Sequence, residues 1–241
     1  MVAPCDCATL LLVRTERYGS FMCGRFVVTP NPETIARFFD VEEVMTDDLG
    51  PGYNVAPTDS IYGVAEHHGR RLLGSFRWGL IPWWSKKQGP LLINARAESI
   101  ATKPAFRDAF TRKRCLIPAD GFYEWQAHPD GKQPYFIHAP DGEMLAFAGI
   151  WSRWNDPETQ EEVTTAAIVT TSSAGPVSSL HDRMPVILPR HLWDAWLDRD
   201  LRDPDEIAHL LQPVADLDLH PVSKLVNHVK NNVPECVMPI E

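Results

Sequence analysis

Apolar and polar positions alternate through most of the middle of the chain, whereas helical periodicity appears only in short, scattered stretches. The period of two predicts strands over 24–28, 61–66, 72–78, 91–97, 115–119, 135–139, 144–151 and 163–171, with a last one near 221–227. His68-Gly69 reads as the turn of a hairpin between the second and third of these. Asp141-Gly142 is expected to join 135–139 to 144–151 in the same way. Asn31-Pro32-Glu33 supplies an N-cap, a proline at the first helical position and an acid in the first turn, so a helix is expected to about Phe39. Pro104 opens a basic helix to about Arg114, with Phe106 and Phe110 facing a core. Further helices are expected over 190–197 and 205–211, the second announced by Asp203-Pro204. Strands outnumber these helices and no βαβ series appears, which makes the class α+β. With 241 residues and no Gly/Ser-rich linker or internal repeat, one domain is expected.

Composition narrows the picture. Five cysteines, at 5, 7, 23, 115 and 236, are odd in number and unevenly spaced, which points away from a disulfide framework and towards the cytoplasm. The apolar run 8–13 is too short for a signal peptide and follows Asp6 without a cation; no membrane association is expected. Residues 1–21 are therefore read as a leader or a mis-assigned extension, absent or removed in the active form, ahead of one domain over 22–241. Cys5-Asp6-Cys7 lacks the second pair that a metal site needs. A net charge of −9 argues against a nucleic-acid partner, yet 70–114 holds eleven cations and two acids, +9, leaving −18 elsewhere. Interleaved with Trp78-Gly79-Leu80-Ile81-Pro82-Trp83-Trp84 and Lys86-Lys87, that stretch predicts a phosphate-binding surface. Its rings either pack into the core or stand ready to stack on unpaired bases.

The most reactive chemistry lies at Met22-Cys23-Gly24-Arg25-Phe26. If the chain starts at Met22 and loses it, Cys23 carries a free α-amine beside its thiol. An α-amine, with a reference pKa of about 7.7–8.0, is partly neutral at physiological pH, and a thiol near about 8.5 deprotonates readily beside cations. Such an aminothiol condenses with an aldehyde to a Schiff base, which sulfur closes into a thiazolidine; an amide carbonyl could instead be attacked by the sulfur. A cysteine among apolar neighbours also reads as a small buried hydrophobe. Three more segments hold polar residues in apolar settings: Asn94-Ala95-Arg96-Ala97-Glu98, Gly121-Phe122-Tyr123-Glu124-Trp125 and His181-Asp182-Arg183-Met184-Pro185. Singly each has a plain explanation, with Asn94 capping a turn, Arg96 in an ion pair, Glu124 ending a strand in solvent and His181 satisfied in a loop.

In this order, with Asn54-Val55-Ala56-Pro57-Thr58 and the Trp78–Trp83 segment between them, these motifs resemble the SRAP family (SOS response-associated peptidase) over nearly all of the chain from Met22. The resemblance implies a mostly antiparallel, barrel-like β core flanked by a few helices. It implies a monomer that binds single-stranded DNA at abasic sites and traps the open-chain sugar aldehyde as a thiazolidine crosslink through N-terminal Cys23. Peptidase activity would be limited to the residues ahead of that Cys, and whether an AP-lyase side reaction cuts the strand is left open by the sequence. By matching motif, Cys23 is the nucleophile, Asn94 holds Cys23 and the lesion, Glu124 shuttles protons and His181 assists at the sugar hydroxyl or the leaving water. Arg25 and Arg96 clamp phosphates, Trp83, Trp84 and Trp125 stack on bases, Pro57 wedges against one, and Asn54 joins the DNA-binding set. No metal or organic cofactor is expected. One departure stands out: 21 residues precede Met22, so the α-amine of the chain as written belongs to Met1. The rival readings are an N-terminal-nucleophile amidohydrolase, a Cys23/His181/Glu124 thiol peptidase and a non-covalent single-strand binding module. The first leaves the basic stretch without a purpose, and the last predicts equal affinity for intact and abasic strands.

Overall fold

The computed structural model describes residues 24–129 and 131–240; Cys23, the leader before it and Cys5-Asp6-Cys7 lie outside them. Strand β1 (Phe26–Val28) is followed by helix α1 (Pro32–Phe38), β2 (Glu43–Val44), β3 (Gly52–Val55), β4 (Ser60–His67) and β5 (Arg70–Trp78). Next come β6 (Asn94–Arg96), α2 (Ala97–Ile100), α3 (Arg107–Arg112), β7 (Arg114–Ala119), β8 (Gly121–His128), β9 (Gly131–His138), β10 (Leu145–Asn155) and β11 (Glu162–Ser172). The chain ends through β12 (Arg183–Pro185), α4 (Trp193–Leu197), α5 (Pro204–Ala208) and β13 (Asp218–Pro221), with 3-10 turns at Gly175–Ser179 and Lys224–Asn227 among others.

The strands form two sheets. In the larger one β5, β4, β7, β10 and β11 pair in turn, and a short parallel contact of β11 with β5, Thr165 to Arg77 and Ala166 to Trp78, closes them into a five-stranded barrel. Closure removes the open edges that a free sheet would expose. The smaller sheet runs in the order β13-β9-β8-β1-β3. An aromatic bridge fastens it to the barrel: Phe26 of β1 meets Trp78 at 5.2 Å and Phe147 at 6.0 Å, and Phe122 of β8 meets Phe147 at 6.0 Å, all edge-on.

Several local expectations hold. Asn31 caps α1, its side chain accepting from the Thr34 N–H at 3.0 Å. His68 and Gly69, with φ of 53° and 74°, make the tight turn between β4 and β5. Phe106 and Phe110 are buried in the core. The 91–97 strand shortens to β6, and the basic helix begins at Arg107 instead of at Pro104.

Two expectations are overturned. The expected hairpin across Asp141-Gly142 does not form, because β9 pairs with β8 and β13 in the smaller sheet while β10 belongs to the barrel. Both edges of β10 are taken, by β7 from Leu145 to Ile150 and by β11 from Gly149 to Asn155, so no ladder is left for β9. Asp141-Gly142 is a corner between sheets. The last strand is Asp218–Pro221, earlier than expected; beyond it the chain coils, with Ser223 capping the Lys224–Asn227 turn.

Candidate active site

Strand β1 lies beside β8, the strand that carries Glu124. It pairs with β8, Phe26 opposite Phe122 and Val27 opposite Gly121, and the Tyr123 N–H donates to the Arg25 carbonyl at 3.1 Å. The same register sets buried Gly24 opposite Glu124. Glycine is required at 121, where a Cβ would come within 2.3 Å of the Ile137 carbonyl oxygen. At the other end of β1, Thr29 donates its N–H (2.7 Å) and hydroxyl (2.6 Å) to Asp120, whose carboxyl burial pushes above its ordinary pKa. Side chains of a strand alternate between faces. Glu124 therefore shares the face of Phe122, towards the barrel, and is 3% exposed. Tyr123 and Trp125 occupy the opposite face, where the smaller core of Val27, Phe136, Val222, Val226 and Cys236 lies.

That opposite face is covered by the C-terminal segment, which forms a strap. Asn54 is 3% exposed, and its amide nitrogen donates to the carbonyls of Val226 (3.2 Å), His228 (3.1 Å) and Asn231 (2.9 Å). Arg25 donates to Asn54 Oδ1 at 2.7 Å and to the Val226 carbonyl at 2.8 Å, with its guanidinium 5.9 Å from the Trp125 ring centre. Half-buried Trp125 donates its indole N–H to Asn227 at 2.7 Å. Asn54, Arg25 and Trp125 are thus gathered on the strap side of the smaller sheet.

Asn94, Arg96 and His181 gather around β11. Strand β6 runs parallel to it, Asn94 level with Ile168 and Arg96 with Thr170, while β12 pairs with it from Thr170 to Ser172. Arg183 of β12 crosses this end of β11 to grip Glu98 through both guanidinium nitrogens, one at 2.9 Å, and also donates to the Thr170 carbonyl at 2.8 Å. His181 lies just before β12, Nδ1 accepting from the Arg183 N–H at 3.1 Å and facing Asp182 at 3.0 Å. Gln126 of β8 reaches the Ser179 carbonyl at 3.4 Å and ties this loop to the face that carries Glu124.

The Glu98–Arg183 pair and buried Thr170 were not singled out from the sequence. The usable signal was an acid and a base inside two of the polar motifs, Asn94–Glu98 and His181–Pro185, but nothing local shows that they meet.

The remaining predicted residues are on loops. The segment between β5 and β6 is pinned where the Ile81 N–H donates to Thr165 Oγ1 at 3.0 Å and where Trp154 donates to the Ser85 carbonyl at 2.7 Å. Trp78 is core, whereas Trp83 and Trp84 are 58% and 52% exposed. Arg96, Lys86 and Lys87 are exposed, and Pro57 is half-buried before Thr58. Other cations of the basic stretch are engaged elsewhere: Arg70 with Glu43, Arg71 with Asp194 at 2.6 Å, and Arg114 inside the core with the Trp196 carbonyl at 2.6 Å. Burial pushes the Arg114 pKa down to about 10. Among the described residues no group of three or more His, Cys, Asp or Glu could hold a metal ion, and no helix is long and apolar enough to cross a membrane.

The family model "SOS response associated peptidase (SRAP)" matches residues 22–229. The chain is 41% identical over 222 residues to the abasic site processing protein YoqW of Bacillus subtilis (strain 168), covering 90% of this chain and 99% of that protein. It is 33% identical over 227 residues to the abasic site processing protein YedK of Escherichia coli (strain K12), covering 91% of this chain and all of that one. A crystal structure of a Bacteroides thetaiotaomicron protein superposes with a TM-score of 0.81 at 27% identity, over 91% of this chain and 100% of that one.

Proposed function

This chain belongs to the SRAP family, and we propose that it binds abasic sites in single-stranded DNA and captures them covalently through Cys23. The place of Glu124 carries this reading: a carboxyl 3% exposed on β8, level with Gly24, the residue bonded to Cys23. A carboxyl so buried is ordinarily a paired one, and a proton shuttle beside the Cys23 end is what amine–aldehyde condensation needs.

The reaction requires Cys23 to be N-terminal, so residues 1–22 are absent or removed in the reactive form. Removing them is the only peptidase activity this reading needs. The neutral α-amine adds to C1′ of the ring-opened sugar, making a C–N bond and a carbinolamine. Glu124 supplies the proton with which the hydroxyl leaves as water, and an iminium forms. The Cys23 thiol returns a proton to Glu124 as its sulfur adds to the same carbon, the iminium electron pair returns to nitrogen, and a thiazolidine results with net loss of one water. An iminium that sulfur has not closed is the species from which a β-elimination, and hence AP-lyase activity, would proceed. Asn94 orients the Cys23 end and the lesion, and His181 assists at the sugar hydroxyl. Arg96 holds a flanking phosphate, exposed Trp83 and Trp84 stack on neighbouring bases, and Pro57 wedges beside one. Arg25, Asn54 and Trp125 support the site from the strap side.

The test is the intact mass of protein expressed from Met22, before and after mixing with an oligonucleotide carrying one abasic site. The expected result is loss of Met22, then a gain of the oligonucleotide mass less one water, absent with Cys23→Ser and with an intact strand. An exposed Cys23 that gives no adduct overturns covalent capture.

A further inference from the structure

The face of the smaller sheet that carries Glu124 continues outward along the β8–β9 hairpin. In that ladder Glu124 pairs with Tyr135, Gln126 with Gln133 and His128 with Gly131, so these residues share Glu124's face. They floor a cavity of about 230 Å3 whose far wall is Pro221, Lys224 and Ile240. Its lining is built for hydrogen bonding: the Tyr135 hydroxyl donates to Gln126 Oε1 at 3.3 Å, and Gln133 donates from Nε2 to the Val222 carbonyl at 2.9 Å. Among the described residues nothing donates to Gln133 Oε1, and Lys224, exposed at the rim, has no ion pair.

Resting on the proposed function, we infer that this cavity is a subsite for the nucleotide next to the abasic residue, its base against Gln126, Gln133 and Tyr135 and its phosphate on Lys224. Gln126 lies two residues beyond Glu124, about 6.8 Å along the strand. That is twice the stacked rise of about 3.4 Å per nucleotide in one duplex strand, so a neighbour reaching the cavity must be unstacked from the lesion. A cation at the rim and an open amide acceptor in the floor match the two ends of such a nucleotide, whereas a purely apolar ligand would leave both unmet. Gln126 also contacts Ser179, so the cavity and the His181 loop share a wall.

The experiment measures non-covalent binding of Lys224→Ala in a Cys23→Ser background. Three oligonucleotides are used: one with the abasic residue internal, and two in which it is the 5′ or the 3′ terminal residue. With the internal site, Lys224→Ala is expected to weaken binding about fivefold and to lower the salt slope by about 0.7, with Lys224→Arg restoring both. On one of the two terminal-site oligonucleotides the ratio of variant to parent should fall to about one. A ratio of one on all three, or a loss that persists on both terminal-site oligonucleotides, overturns the subsite. If the Cys23-containing protein still captures abasic DNA in that case, the proposed function stands without it. If it neither captures nor prefers abasic strands, both fall.

Discussion

Asn54 has two amide hydrogens and three backbone carbonyls within reach, at 3.2, 3.1 and 2.9 Å, while its oxygen accepts from Arg25. A residue so enclosed is a keystone between β3, β1 and the C-terminal strap. Truncation leaves several buried carbonyls and a guanidinium short of partners, each costing more than a hydrogen bond gains. Asn54→Ala is expected to lower stability by about 2–4 kcal/mol, read as a drop in the urea midpoint with an unchanged m-value. A change within about 0.5 kcal/mol would mean that packing of Val222, Val226 and Cys236 holds the strap alone. The sequence marked Asn54 as a polar residue in an extended segment, but the carbonyls to which it donates lie more than 170 residues onward, in and after the Lys224–Asn227 turn. Glu124 was legible for a different reason. It stands as a charged residue inside the apolar segment Gly121–Trp125, although the strand that carries it, β8, was not among those expected.

At the scale of elements, Arg183 and Glu98 lock β12 to the α2 end of β6 across β11. The hydrogen bond from Arg183 holds Glu98 below its ordinary pKa, against the opposing effect of burial. A carboxylate depressed in the folded state contributes stability above its unfolded pKa, about 4.3, and that contribution disappears as pH falls through the folded value. Glu98 is 53% exposed, so solvent screening limits the effect to about 1 kcal/mol at neutral pH. Glu98→Gln should therefore cost about that much at pH 7 and nothing at pH 2, flattening the acid limb of a denaturation profile. A parallel offset at every pH would assign the loss to packing instead. The elements themselves were readable where the signal was local. His68-Gly69 and Asp141-Gly142 both carry turn chemistry and both turn. Only the first joins neighbouring strands, because both edges of β10 were already claimed by β7 and β11, and edge competition is a property of the assembled sheets.

At the scale of the molecule, the run of cations over 70–114 does not fold into one surface. The chain crosses the barrel once as β5, leaves it for β6, α2 and α3, and re-enters it at β7, leaving Arg70 and Arg71 at the β4–β5 tip among acids and Arg114 inside the core. The cations beside the exposed tryptophans are Lys86 and Lys87, with Arg96 at the end of β6. Counterion release makes the slope of log affinity against log salt a count of phosphates contacted, about 0.7 per contact on a single strand. Lys86→Ala and Lys87→Ala should each lower that slope by about 0.7 on an oligonucleotide with one abasic site, between 50 and 200 mM salt. Arg70→Ala, which removes the partner of Glu43 at the hairpin tip, should leave it unchanged. The two outcomes separate a local DNA track from a general attraction to the basic stretch: an equal fall in all three would mean that DNA senses the whole field, and the strand would have to run along the barrel to the hairpin tip. The protein's overall −9 favours the track, since a long-range field of the opposite sign has to be overcome by contacts made close to the lesion.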